Sequence, residues 1–84
     1  MHNKESFIKG LLYRSCHRGC KETDILLGGF VKNKINDFNE ESLVQYSKLV
    51  LEDDAIIYDW ILQKTPTPAQ YQDLIHNIRQ FHNL

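Results

Sequence analysis

The sequence predicts an all-α, single-domain protein folded as a compact five-helix bundle, and three observations carry that expectation. Apolar residues return every three or four positions in five successive segments, the spacing that puts them on one face of a helix. No segment alternates apolar and polar residues with the period of two that a half-buried strand needs, and no tandem repeat or low-complexity tract breaks the pattern. The 84 residues suffice for one core and no more, since a chain of this size buries only about 60 to 65 per cent of the surface exposed on unfolding.

The first helix is predicted from about Lys4 to His17, with Phe7, Ile8, Leu11, Leu12, Ser15 and Cys16 on its inner face. Gly19 ends it by accepting a left-handed backbone, and Arg14, His17 and Arg18 place positive charge where the helix dipole is negative. A second helix follows at once and reaches about Asn33, with Ile25, Leu26, Leu27, Phe30 and Val31 as its stripe and Glu22 and Asp24 in its first turn. Gly28 and Gly29 lie inside it and call for a kink, a close helix contact or a break. Asp37 or Asn39 caps a third helix that ends near Leu51 and buries Leu43, Tyr46, Leu49 and Val50. Glu52, Asp53 and Asp54 open a fourth, running through Ala55 to about Leu62, with Ile56, Ile57, Trp60 and Ile61 inward. Thr67, Pro68 and Gln70 read as the start of a fifth, over about 68–82, whose face is Tyr71, Leu74, Ile75, Ile78, Phe81 and His82.

Hydrophobic residues at 42% and charged residues at 25% are the proportions of a globular chain. A formal charge of −1 leaves no surplus of Lys and Arg for phosphate backbones, so nucleic acid is not the expected partner. No run approaches the roughly 20 apolar residues of a membrane span, and the first residues carry neither a signal-peptide core nor an Arg-rich transit pattern, so the cytoplasm is the expected compartment. The charge is unevenly placed. Residues 1–22 hold five Lys or Arg against two Glu, and residues 37–59 hold seven carboxylates against one Lys. Such polarity suits docking to a protein partner in one orientation.

Cys16, His17 and Cys20 are the first candidates for chemistry, because thiolate and imidazole bind zinc. The spacing does not favour it: structural sites usually take four ligands, and His2, His76 and His82 lie at the chain ends. A cysteine nucleophile lacks the third, orienting group that such catalysis uses. The acidic run Glu52, Asp53 and Asp54 lacks the alternation of a calcium loop. Both cysteines read instead as small apolar residues flanking a turn, and neither a metal nor a catalytic residue is expected.

The distinctive feature is the corner between the first two helices, where Arg18 and Glu22 flank Gly19 and lie next to Tyr13 and Arg14. An exposed Arg beside an exposed carboxylate on a rigid turn offers the forked donor and aromatic surface typical of interface hot spots. The residues Arg18-Gly19-Cys20-Lys21-Glu22, followed downstream by Ile57-Tyr58-Asp59-Trp60-Ile61, resemble the Arg-Gly-x-x-Glu motif and its companion segment in the FAD assembly (flavinylation) factors of succinate dehydrogenase. The resemblance covers about residues 7–62 and departs from the family at Cys20, where a larger apolar residue is usual.

That resemblance implies a non-catalytic assembly factor or chaperone of the bacterial cytoplasm, a monomer that binds the flavoprotein subunit and promotes its covalent flavinylation. FAD would end on the partner and not be held tightly here. The flavoprotein of fumarate reductase is a second candidate client. The implied partner-binding surface is Arg18, Gly19 and Glu22, with Tyr13, Arg14, Asp24, Tyr58 and Asp59 as neighbours, and loss of Arg18 or Glu22 is expected to leave the fold intact. The alternative, from a different class, is a regulatory or inhibitory module that uses the same surface on another cytoplasmic protein.

Overall fold

A computed structural model describes residues 4–84. It shows five α-helices: α1 (Lys4–Cys16), α2 (Lys21–Lys34), α3 (Glu40–Leu49), α4 (Asp54–Ile61) and α5 (Gln72–Phe81). Short 3-10 turns at Ile35–Asp37 and Ala69–Tyr71 precede α3 and α5, and no strand occurs among the described residues. The all-α expectation holds. One core draws Leu11 from α1, Leu27, Phe30 and Val31 from α2, Leu43, Tyr46 and Leu49 from α3, Ile57, Trp60 and Ile61 from α4, and Leu74, Ile75 and Ile78 from α5. Each such side chain contributes about 1.5–3 kcal/mol of burial free energy. No described helix is long and apolar enough to cross a membrane.

Local chemistry sets the boundaries. Asn39, not Asp37, caps α3, its Oδ1 accepting the Ser42 N–H at 2.7 Å. Asp53 caps α4 through the Ala55 N–H at 3.2 Å. The third helix stops at Leu49 rather than Leu51, because its last turn tightens into bonds from Leu51 N–H to the Lys48 carbonyl and from Glu52 N–H to the Leu49 carbonyl. The fifth starts as a 3-10 turn instead of an α-turn capped by Thr67. That tighter turn brings Tyr71 into the core beside Trp60, ring centroids 5.6 Å apart.

The second helix runs through both internal glycines unbroken. Gly28 is the close contact: a Cβ there would lie 3.0 Å from the Cys16 Sγ and 3.7 Å from the Ser15 carbonyl. α1 and α2 thus pack side by side as the most extensive helix pairing in the molecule. Two stripe positions fall outside the core: Ile25 and Ile56 are exposed. A buried polar pair fixes α1 on α3. The Ser15 hydroxyl donates to the Leu11 carbonyl at 2.7 Å, leaving its oxygen to accept from the Tyr46 hydroxyl at 2.5 Å. Burial pushes the Tyr46 phenol up to about 12, against a smaller opposing effect of the Arg18 charge.

Candidate functional site: the corner between the first two helices

The chain turns from α1 into α2 over four residues, 17–20, and Gly19 makes the turn possible. Its φ is +90°, a region other residues enter at a cost, and a Cβ there would meet nothing within 4 Å. Glycine is needed for backbone conformation, and the space beside it is open. The corner is closed from within by Asp24, whose Oδ1 accepts the Arg18 N–H at 2.7 Å. A carboxylate in the first turn of α2 thus bonds back to the residue that ends α1's corner.

The Arg18 side chain overturns one expectation. It is not an exposed docking cation: only 9% of it is accessible. The guanidinium enters the loop between α3 and α4, where Nε pairs with Asp54 Oδ1, Nη1 donates to the Val50 carbonyl at 2.6 Å and Nη2 to the Glu52 carbonyl at 2.5 Å. Those carbonyls lie at the C-terminal end of α3, where the helix dipole is negative, and Asp54 lies in the first turn of α4, where an anion is favoured. A planar fork that donates to several acceptors at once is what arginine provides and lysine does not. Replacing Arg18 therefore strips three acceptors of their donor, so the variant cannot be neutral for the fold.

The other residues of the corner divide into two groups. Tyr13, Arg14, Gly19 and Glu22 face solvent. Tyr13 is 65% exposed and stacks on His17 with centroids 4.2 Å apart, an arrangement held by the His17 Nδ1–H donating to the Tyr13 carbonyl at 2.9 Å. Arg14 folds back along α1, its Nη2 lying 3.6 Å from the Cβ position of Gly10. Glu22 Oε1 is 3.4 Å from the Cys20 Sγ. Tyr58 and Asp59 are half-buried on α4. Tyr58 follows Asp54 by four residues and so lies one turn along the same face. Among the described residues, hydrogen bonds and ion pairs join α4 to the corner through Asp54 rather than through Tyr58 or Asp59.

Asp54 was missed as part of this arrangement because the acidic run reads as a solvated helix start. The available signal was the charge asymmetry itself: part of the opposition between a basic first segment and an acidic middle is spent on this internal bridge. Cys16 and Cys20 are both free thiols. The first is packed against Gly28 and the second points toward Glu22. Among the described residues no three His, Cys, Asp or Glu side chains converge to hold a metal; His2 lies outside them. Open grooves among the described residues lie elsewhere, such as one of about 540 Å³ beside Trp60, Lys64 and Arg79 and one of about 430 Å³ beside Phe30, Phe38 and Phe81. The corner itself is a turn braced by Arg18 and Asp24, with Tyr13, Arg14, Gly19 and Glu22 facing solvent.

Fold and corner together define a small all-α bundle whose interhelical turn is braced by Arg18 and Asp24. Comparison with known proteins gives the family: residues 9–82 match the model described as flavinator of succinate dehydrogenase, and the chain belongs to that family. It is 36% identical over 78 residues to succinate dehydrogenase assembly factor 2, mitochondrial, of Dictyostelium discoideum, covering 93% of this chain and 55% of that protein. It is 38% identical over 74 residues to the assembly factor 2-B of Drosophila willistoni, covering 86% and 47%, and 38% over 73 residues to assembly factor 2 of Drosophila virilis, covering 83% and 46%. The chain spans about half the length of the curated relatives it matches.

Proposed function

We propose that this chain is an assembly factor that docks on the flavoprotein subunit of succinate dehydrogenase and promotes covalent attachment of FAD to it. The observation that carries the reading is that the family match runs through the Arg18–Glu22 corner, where Gly19 and Glu22 face solvent on a turn braced by Arg18 and Asp24. The docking surface is Gly19, Glu22, Tyr13 and Arg14, with Tyr58 and Asp59 farther along α4. Arg18 and Asp24 hold that surface in shape.

In this reading the chain supplies orientation and no reacting group. The flavoprotein's own chemistry forms the bond, and the factor, acting as a monomeric chaperone, holds flavin and acceptor histidine in a geometry where they meet; positioning alone can contribute several orders of magnitude in rate. FAD stays with the partner and is not held tightly here. The flavoprotein of fumarate reductase presents the same task and is included as a client. The compartment belongs to the proposal as well: the bacterial cytoplasm, whereas the relatives named above are mitochondrial by their printed names.

The test is covalent flavin fluorescence of the cognate flavoprotein on a denaturing gel, with and without this protein. A rise with the wild-type chain, lowered about tenfold or more by Glu22→Ala at unchanged stability, is the expected result, since losing one buried charge contact of an interface costs at least 1.4 kcal/mol. No rise with a folded chain and its cognate flavoprotein would move the assignment to a regulatory module acting on another protein.

A further inference from the structure

The Arg18 clamp has an unusual object. The two carbonyls that the guanidinium takes, those of Val50 and Glu52, flank Leu51 on either side. Leu51 is 76% exposed, the most exposed of the large hydrophobic side chains among the described residues, although Leu49 and Val50 before it are buried. A lone surface leucine is ordinary in itself. Here both peptide groups around it are pinned by one desolvated cation, and its neighbour Glu52 is restrained again by the Tyr71 hydroxyl at 3.4 Å. A buried guanidinium is costly to place, and a leucine pointing to solvent returns nothing to the core. The clamp holds the two peptide groups between which an exposed apolar side chain projects.

We propose that Leu51 is a preorganised docking contact for the flavoprotein, and that Arg18 acts on docking as a positioning residue through the loop it holds. This rests on the assembly-factor reading above. The occupant is specified by the rim: Glu52 and the exposed Asp53 follow Leu51 directly, so the complementary surface is an apolar recess of the flavoprotein bordered by Lys or Arg. Arg18 thus joins the Gly19 corner, through its backbone N–H on Asp24, to the Leu51 loop, through its guanidinium. An anchor held rigid before binding loses little freedom on docking, which is where such contacts gain affinity.

The experiment measures the Kd of the cognate apo-flavoprotein for wild type, Leu51→Asp, Leu51→Met and Arg18→Lys, alongside the Tm of each variant and its sedimentation as a free protein. Leu51→Asp is expected to weaken binding about 30-fold or more with Tm lowered by at most a few degrees, the cost of an anion near the C-terminal end of α3, and Leu51→Met to bind within about threefold of wild type. Arg18→Lys keeps the charge but not the fork, so it is expected to lower both Tm and affinity. Wild-type affinity in Leu51→Asp would overturn the inference, as would a wild-type dimer that this substitution turns into monomer, since a second copy would then be the occupant. Arg18→Lys with wild-type Tm and affinity would remove the positioning role. A wild-type chain that binds no flavoprotein would remove the reading beneath it, an outcome distinct from failure at Leu51 alone.

Discussion

The corner of α1 and α2 and the packing of α5 against α2 and α4 are held by different physics. At the corner one guanidinium satisfies a carboxylate and two carbonyls from a loop more than thirty residues away in sequence. At the α5 end, Leu74, Ile75 and Ile78 bury against the core, Tyr71 packs on Trp60, and Phe30 meets Phe81 edge to face at 5.9 Å. Arginine also contributes there, but Arg79 gives one bond to the Ile61 carbonyl. Apolar packing degrades in proportion to what is removed, whereas a partly buried charge network loses several bonds at once, because removing one donor leaves three acceptors without their partner. The region proposed as the docking surface is the one built without tolerance.

The comparison is broken most directly by Arg18→Ala, for which a loss of about 3 kcal/mol in urea-denaturation stability is expected, against about 1 kcal/mol for Ile78→Val in α5. Equal losses would mean that the corner is no more brittle than the core. A second test uses pH. Tyr46 has its phenol raised by burial to about 12 from an ordinary value near 10. The folded state therefore keeps its proton longer than the unfolded state, so this stability is present below pH 10 and is lost as pH rises from 10 to 12. The expected loss is about 2–3 kcal/mol relative to a Tyr46→Phe variant. Parallel pH profiles for the two proteins would remove Tyr46 from the account.

Smaller effects sharpen the picture. Gly19→Ala is expected to cost about 1 kcal/mol, all of it backbone strain, since the added methyl meets nothing. Gly19→Asn should recover part of that, because Asn tolerates the left-handed region; thermal melts of the two variants would show it. Thr23→Val runs the other way. The Thr23 hydroxyl is fully buried with no hydrogen-bond partner, so replacing it by a methyl of similar shape should raise stability by about 0.5–1 kcal/mol. A loss in calorimetry would mean that the hydroxyl has a partner in solution.

The bundle was legible in the sequence because helix faces are written in local spacing: Leu43, Tyr46 and Leu49, or Leu74, Ile75 and Ile78, announce their burial by period alone. The turn at Gly19 was legible for the same local reason. Element ends were read less well, since the end of α3 at Leu49 and the 3-10 start of α5 depend on groups the local pattern does not contain. The role of Arg18 was furthest from reach: in sequence it is a cation at a helix end, and only the fold brings Val50, Glu52 and Asp54 to it. Nor does spacing announce that Leu51, next to a buried valine, would face outward.

The reach of the Arg18 clamp also bears on the order in which the molecule forms. Helix pairs such as α1 and α2 close over short loops and can assemble early, whereas a contact spanning 32 to 36 residues waits until the intervening chain has paid its closure entropy. The corner acquires its final shape only when α3 and the start of α4 are in place. A nascent or partly opened chain carries the motif residues without the surface they form, so under the proposed function partner recognition is coupled to completed folding.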